Sequence, residues 1–403
     1  MLTEDKGLIW NGMDLPEEIL AHIFSFLPLQ DKCNAFTVCK AWSNIMTHPS
    51  SWKDTEVRCE SGTSVPDRYS ALLPLVRNLK LRMCLTDPAN RKTALWVLQQ
   101  AVARGDGRME GLSICCEGNT PLFYAGQDLQ QGLVDILTNG SSLTVLDLKG
   151  VPFTLSDSFV RSVAMLCPAL QSLYINNHSL VCGVNAETLK QVLKCCQSLS
   201  VLGVFQASLS QDVFKDLMFP ERPALKKLEL RCERSLKYTV PLCDQIWLEL
   251  KLRHPRLWVE LELDHTLPEL HVPGVLQPSI PVRCLRLLTW TLLLDEVRIV
   301  RQSYANTLEV LELQTIPSPE LNSELIALAK QCVKLQEVHC YCVVSQEVIT
   351  AFFTNCPNLC RFTLKTHKEP HPWTSTKLKP ERGSYLQDTL SGATEKTQCQ
   401  QNK

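Results

Sequence analysis

Residues 308–364 read LEVLELQTIPSPELNSELIALAKQCVKLQEVHCYCVVSQEVITAFFTNCPNLCRFTL and contain three copies of one apolar pattern. The copies begin at Leu308, Leu335 and Leu359, and each has apolar residues three and five positions later. Between them lie segments such as 322–332, whose apolar residues are three or four positions apart, as on one face of a helix. The stretch therefore predicts short strands that alternate with helices.

The same Leu-x-x-Leu-x-Leu pattern extends towards the N-terminus. The last apolar position of each copy falls at residues 81, 114, 148, 175, 204, 230, 263, 287, 313, 340 and 364. Most of the spacings lie in the range of about 20–29 residues that is typical of leucine-rich repeats, and the longer ones can hold insertions. We therefore predict about ten irregular repeats over residues 66–366, in an α/β solenoid with a parallel concave sheet and convex helices.

Alternation along the strands predicts which side chains point away from the helices. An acidic cluster and several aromatic residues on that face are candidates for binding a client protein. The full candidate set is Tyr174, Phe205, Arg231, Glu260, Glu262, Asp264, His339 and Tyr341. Two alternatives stay open: such charges are often only solvated, and the copy at 257–263 has one residue too many, which would invert its faces if the register slipped.

The 19 cysteines predict neither a disulfide framework nor a metal site, because their number is odd and no CxxC pair occurs. Several close a predicted helix, at positions 167, 196, 332 and 356, where a reduced thiol acts as a small buried hydrophobe. We expect no metal and no cofactor. The acidic N-terminal stretch does not resemble a signal peptide, so we expect a cytoplasmic and/or nuclear protein.

The net charge of −1 and the absence of long runs of like charge argue against a nucleic-acid partner, and the apolar windows are too short for a membrane span. Enzyme activity is not expected either, since phosphate-binding loops and hydrolase motifs are missing. His339 and Cys340 are neighbours in a predicted strand, so their side chains point to opposite faces and cannot form a catalytic dyad.

Residues 14–52 read DLPEEILAHIFSFLPLQDKCNAFTVCKAWSNIMTHPSSW and predict a small helical module. Asp14 with Glu17 is a helix-start signature, and Pro28 should end this first helix. A second helix should begin at Asp31 and run to Trp42. The apolar residues exceed what so short a segment can bury alone, so the module either docks a partner or caps the next domain.

The identities of these residues favour docking, because the segment resembles an F-box. Leu15-Pro16, Ile19-Leu20, Ile23-Phe24, Leu27-Pro28, Val38-Cys39-Lys40, Trp42 and Trp52 lie at the spacing of that family. The resemblance places an all-α F-box at 13–58 and implies binding to the Skp adaptor and, through it, to a cullin scaffold and a RING subunit. It also implies that the adaptor contact involves Leu15, Pro16, Ile19, Leu20, Ile23, Phe24 and Leu27.

An F-box followed by leucine-rich repeats resembles the F-box/leucine-rich-repeat proteins over nearly the whole chain. The resemblance implies a substrate-recognition subunit of a Skp–cullin–F-box ubiquitin ligase, with a protein client on the repeats and no catalysis by this chain. The alternative is a scaffold that binds the adaptor without turnover of a client. We expect residues 1–12 to be flexible, and the polar composition of residues 367–403 predicts a disordered tail.

Overall fold

The structure is a computed structural model that describes residues 15–59, 72–102, 109–118, 124–138 and 142–366. The chain divides into two compact units. The first comprises residues 1–153 and 158–172, and the second comprises residues 154–157 and 173–403. None of the helices in the described ranges is both long and apolar enough to cross a bilayer.

The F-box segment folds as short helices in the first unit: α1 (Glu17–Ser25), α2 (Leu29–Val38), α3 (Lys40–Met46) and α4 (Pro49–Trp52). The prediction of one continuous second helix is wrong, because the backbone is extended at Cys39, with φ −161° and ψ 167°. The Cys39 thiol accepts a hydrogen bond from the Trp42 amide (3.5 Å) and so caps α3. Pro16 precedes α1, whereas Asp14 lies outside the described residues.

The first unit continues with parallel strands in chain order and helices between them. The strands are β1 (Asp54–Cys59), β2 (Asn78–Cys84), β3 (Gly111–Glu117) and β4 (Val145–Gly150). The helices are α5 (Pro88–Val102), α6 (Gln127–Leu137) and α7 (Asp157–Leu166). Strand β1 overlaps the end of the segment assigned to the F-box (13–58) and was not predicted, because it has Thr55, Val57 and Cys59 where its partner β2 has Leu79, Leu81 and Met83.

The second unit repeats the same arrangement. Its strands are β5 (Ser172–Tyr174), β6 (Val201–Phe205), β7 (Lys227–Cys232), β8 (Trp258–Leu263), β9 (Val282–Thr291), β10 (Val310–Thr315), β11 (Glu337–Val343) and β12 (Arg361–Lys365). Its helices are α8 (Ala186–Cys195), α9 (Gln211–Leu217), α10 (Asp244–Arg253), α11 (Val272–Val275), α12 (Leu294–Tyr304), α13 (Pro319–Gln331) and α14 (Gln346–Asn355). From β6 onward, each strand pairs in parallel with the next.

The predicted fold class is confirmed: a short helical module precedes an α/β array of leucine-rich repeats. Ten of the eleven predicted anchor positions lie within β2–β12, and Ile175 directly follows β5. The doubtful register at 257–263 is resolved, since Leu261 pairs with Leu230 and both side chains are buried. Glu260 and Glu262 therefore point away from the helices. The pairing of β8 with β7 is continuous, and the register shift between β8 and β9 skips Arg283 of β9.

The cysteines that close the repeats are structural thiols. Cys167, Cys196, Cys332 and Cys356 each follow a helix of the array and are buried. The Cys356 thiol donates to the carbonyls of Ala329 (3.5 Å) and Cys332 (3.7 Å). Burial raises the pKa of Cys332 to about 12 and that of Cys356 to about 11. These thiols stay protonated at neutral pH and fill the core as small apolar groups.

Candidate functional site

Helix α1 carries two apolar stripes. Pro16, Ile19, Ile23 and Phe26 recur three or four positions apart and are exposed, with 47% of Ile19, 44% of Ile23 and 73% of Phe26 accessible. At the end of α2, 58% of Val38 is accessible. We call Pro16, Ile19, Ile23 and Phe26 the exposed stripe of α1. Large exposed apolar groups of this kind mark interaction surfaces.

The other stripe of α1 faces the interior of the module. Leu20 and Phe24 are buried, and the Phe24 ring meets Trp42 edge-on at 4.8 Å. Of the seven predicted adaptor-contact residues, Pro16, Ile19 and Ile23 are exposed, Leu15 and Leu27 are half-buried, and the remaining two, Leu20 and Phe24, are core residues. The sequence pattern alone did not separate the stripes, because Leu, Ile and Phe occur on both. Phe26 was missed, although it extends the spacing of 16, 19 and 23 by one step.

The helical module is anchored on β1. Lys32 of α2 is fully buried, and its Nζ donates to the carbonyl of Asp54 (2.6 Å) and to Oγ1 of Thr55 (3.1 Å). Burial lowers the pKa of Lys32 to about 8, and the nearby Asp54 carboxylate opposes this shift. Trp52 is also fully buried, and its Nε1 donates to the Met46 carbonyl (2.7 Å). The module therefore contacts the start of β1 through Lys32, and the Trp52 ring is buried within the module with its polar atom satisfied.

The second candidate surface is the side of β5–β12 that points away from the helices, which we call the open face. Arg231, Glu262, Arg286 and Glu312 occupy paired positions on four neighbouring strands. The Arg231–Glu262 and Arg286–Glu312 ion pairs each measure 3.3 Å. The open face thus carries a row of alternating charge in the middle of the second unit.

A second row of charges lies beside the first. Lys227 forms ion pairs with Glu229 and, at 3.3 Å, with Glu260, and it lies 4.5 Å from the Trp258 ring centroid. Arg286 pairs with Glu260 from the other side. Burial by itself would raise the pKa of Glu260, but Arg286 and Lys227 hold the pKa below its usual value. Glu260 is therefore an anion at neutral pH.

Gly203 of β6 allows one contact to pass over its strand. Asn176 Nδ2 donates to Glu229 Oε2 (3.2 Å), which lies beyond β6 on β7. A Cβ atom on Gly203 would lie 2.3 Å from Asn176 Oδ1 and 2.7 Å from Tyr174 Cδ1. Because Gly203 has no side chain, Tyr174 and Asn176 can lie close over β6 and approach the charged rows.

Three of the predicted client-contact residues are not exposed. Phe205 is only 3% accessible, because it lies at the register position paired with the long Arg231 side chain. Arg231 is buried with Asp264, whose Oδ2 accepts from Arg231 Nη2 (2.7 Å) and whose Oδ1 accepts from the Thr266 amide (2.8 Å). The expectation of exposure is therefore wrong for Phe205, Arg231 and Asp264.

The other predicted client-contact residues remain accessible. Tyr174, Glu260, Glu262 and His339 are half-buried, and Tyr341 is exposed. His339 and Tyr341 lie on the same side of β11 with stacked rings 6.5 Å apart.

Strand β11 also tests the geometry of a possible dyad. His339 Nδ1 lies 3.0 Å from Thr363 Oγ1 on the open face. Cys340 is buried on the opposite side of the strand, with its Sγ 3.4 Å from Sγ of Cys342. The two side chains point apart, as the alternation predicted, so they do not form a nucleophile–base pair.

Comparison with known proteins agrees with both modules. Residues 13–56 match the F-box-like domain family. The chain is 40% identical over 368 residues to F-box/LRR-repeat protein 8 of Homo sapiens, which covers 91% of this chain and 98% of that protein. The proteins of that name from Bos taurus (40% identity) and Mus musculus (38%) align over the same shares of both chains.

Among solved structures, the chain aligns with the leucine-rich repeat-containing protein LegL7 from Legionella pneumophila at a TM-score of 0.28 and 16% identity, over 81% of this chain and 90% of that one. The matched F-box segment and the extent of the alignments with the mammalian proteins cover both the helical module and the repeats. This chain is a member of the F-box/LRR-repeat protein family.

Proposed function

We propose that the chain is the substrate-recognition subunit of a Skp–cullin–F-box ubiquitin ligase, in which the F-box binds the Skp adaptor and the repeats capture a protein client. The observation that carries the proposal is the exposed stripe of α1. A module this small, anchored by its other residues on β1, exposes Ile19, Ile23 and Phe26 at helical spacing. Burial of one such side chain contributes roughly 1.5–3 kcal/mol, so a few of them suffice for a stable complex.

The accessible residues define the proposed adaptor contact. Pro16, Ile19 and Ile23 would supply its centre, Leu15 and Leu27 its rim, and Phe26 and Val38 extend it beyond the residues that the family pattern suggested. Leu20 and Phe24 would act indirectly, by fixing the position of α1 on α3. Interface energy usually concentrates in a few central anchors, so substitution of Ile19 and Ile23 should have the largest effect.

The client is proposed to bind the open face of β5–β12. Tyr174, Glu260, Glu262, His339 and Tyr341 are accessible there, and only Tyr341 is exposed. The chain itself would be non-catalytic. Its contribution would be proximity, because it holds a client lysine near the ubiquitin-conjugating enzyme that the cullin and RING subunits recruit. The 18 cysteines of the described residues are all free thiols, which fits the reducing cytoplasm or nucleus in which we place this assembly.

Affinity purification from cells, with and without proteasome inhibition, tests both halves of the proposal. The test variant is Ile19→Asp with Ile23→Asp, and the control is Leu252→Asp, because Leu252 is also an exposed apolar residue on a helix, α10. We expect the test variant to lose adaptor and cullin and to retain clients, which then accumulate. The Leu15→Ala/Pro16→Ala variant should weaken adaptor recovery in the same direction. Undiminished recovery of the adaptor with the test variant would refute the proposed contact.

The same experiment separates a ligase subunit from a scaffold. If clients co-purify but their half-lives do not depend on Ile19 and Ile23, the chain binds the adaptor without directing turnover. A Tyr341→Ser variant addresses the open face independently of the F-box, since Tyr341 is exposed on β11. We expect it to lose clients and to keep the adaptor.

A further inference from the structure

The last strand of the array has uncovered residues where the preceding strands have buried ones. Phe362 of β12 is 43% accessible, whereas Val338, its partner on β11, is 1% accessible. Leu311, the partner of Val338 on β10, is completely buried. Phe362 therefore occupies a core position of the repeat without the cover that the next repeat would normally provide.

The last helix shows the same difference. Phe353 of α14 lies three residues before Cys356 and is 51% accessible. Ala329 of α13 lies three residues before Cys332, the equivalent cysteine of the preceding repeat, and is completely buried. The Phe353 and Phe362 rings meet edge-on with their centroids 4.9 Å apart. Cys360, between the helix and the strand, is exposed. We call Phe353, Cys360 and Phe362 the end face.

An uncovered end is unfavourable in a repeat array, because each repeat buries its apolar side only against a neighbour and terminal repeats need a polar outer surface. Within the described residues, β12 pairs with β11 alone and its other edge carries no strand. Edge strands that natural proteins leave open are normally shielded by a further segment. Two accessible aromatic rings in edge-on contact at such an edge indicate that something covers it.

We propose that residues 371–380 of this chain, HPWTSTKLKP, bind the end face and act as a C-terminal cap, with Trp373 and Leu378 as the apolar anchors. This inference is independent of the proposed function. The described residues end at Thr366, directly after β12, and residues 367–403, which the composition predicted to be a disordered tail, lie outside them; the proposal replaces that expectation for residues 371–380. An extended chain spans at most about 3.3–3.6 Å per residue, so a linker of a few residues is long enough to lead from the end of β12 back to the end face beside it.

Covalent attachment favours this segment over other occupants. A tethered ligand with a short linker has an effective concentration in the millimolar range or above, so even a weak apolar contact would be populated. The segment also combines two apolar anchors with Lys377 and Lys379, which would leave a charged outer surface over the end face. A second copy of the chain or another protein would have to compete with it.

Amide hydrogen exchange of the full-length protein tests the cap. The test variant is Trp373→Ser with Leu378→Ser, and the control is Leu386→Ser with Leu390→Ser, which also replaces two apolar side chains with serine but outside residues 371–380. All four substitutions lie outside the described fold. We expect the test variant to exchange its β12 and α14 amides at least ten times faster than the wild type, and the control to exchange them at the wild-type rate.

A chain that ends at residue 366 should behave like the test variant, and a synthetic peptide of residues 367–390 added at millimolar concentration should restore slow exchange. Equal exchange in the wild type, the test variant and the shortened chain would overturn the proposal. Slow exchange that depends on protein concentration, together with a dimer mass in light scattering, would also overturn it, because a second copy would then be the occupant.

Discussion

The first strand, β1, and the last strand, β12, belong to parallel ladders of the same kind but differ in what covers them. The core positions Val57 and Cys59 of β1 are completely buried or nearly so, whereas Phe362 of β12 is exposed. At β1 the F-box contacts the start of the strand, where Lys32 donates to the Asp54 carbonyl and the Thr55 hydroxyl. The comparison teaches that the F-box contacts β1 with one set of residues while the exposed stripe of α1 stays accessible for the adaptor binding that we propose.

This result reconciles two interpretations that the sequence left in competition. A helical segment with surplus apolar residues can cap a domain or bind a partner, and here different residues are available for each role. Trp52 and Lys32 belong to the capping side, and Ile19 and Ile23 belong to the stripe that we propose binds the adaptor. The two roles can therefore be separated by substitution.

The largest effect should come from removing the cover of β1. Replacing Trp52 with alanine deletes a fully buried ring and leaves the Met46 carbonyl without its partner. We expect the free energy of unfolding to fall by about 3–5 kcal/mol, as for other large aromatic core residues. Urea-induced unfolding measures this, with Phe26→Ala as the control at an exposed position of the same module. A loss of less than about 1 kcal/mol would mean that the F-box does not stabilise β1.

A pH-dependent effect should follow from Lys32. Its pKa in the folded chain, about 8, lies below the value of about 10.4 in an unfolded chain, so the unfolded state binds more protons between these pH values. The wild type should therefore gain stability as the pH rises through this window, and Lys32→Met cannot. We expect the difference in unfolding free energy, wild type minus Lys32→Met, to increase by about 2–3 kcal/mol from pH 7 to pH 10.

The measurement is urea-induced unfolding of both proteins in reducing buffer. Because both proteins contain the same cysteines and tyrosines, the effect of titrating these groups on stability cancels in the difference. A difference that stays constant with pH would show that Lys32 is not titrating in a buried site.

The smallest effect on stability should come from the exposed stripe. Ile19 and Ile23 are close to half accessible, so the Ile19→Asp/Ile23→Asp variant should change the free energy of unfolding by no more than about 0.5 kcal/mol per substitution. Thermal unfolding beside Leu252→Asp provides the check. A large loss of stability would place the stripe among the capping residues, and the capping and adaptor-binding roles could then not be separated by substitution.

The repeat array was predictable because leucine spacing fixes both the strands and their buried side, and the last anchors of ten copies fall within strands. Strand β1 was not predictable in this way, because Thr55, Val57 and Cys59 replace the leucines. Lys32 of the F-box also donates hydrogen bonds to this strand, which is a tertiary contact. A local pattern does not encode such a contact.

The candidate surfaces were predictable in direction but not in accessibility. Alternation correctly placed Arg231, Glu260 and Glu262 on the open face. It could not show that Arg231 and Phe205 are buried there, because long side chains on neighbouring strands cover one another and form ion pairs. Likewise, helical periodicity found the apolar residues of α1 but not the division between Ile19 and Ile23 on one side and Leu20 on the other.

The central claim, that the exposed stripe of α1 binds the Skp adaptor, is tested most directly by titrating purified adaptor into the full-length protein and following the heat of binding. The wild type and Leu252→Asp should bind with the same affinity. The Ile19→Asp/Ile23→Asp variant, with unchanged unfolding, should bind at least 100-fold more weakly, which corresponds to about 2.7 kcal/mol. Equal affinity of all three proteins would contradict the account.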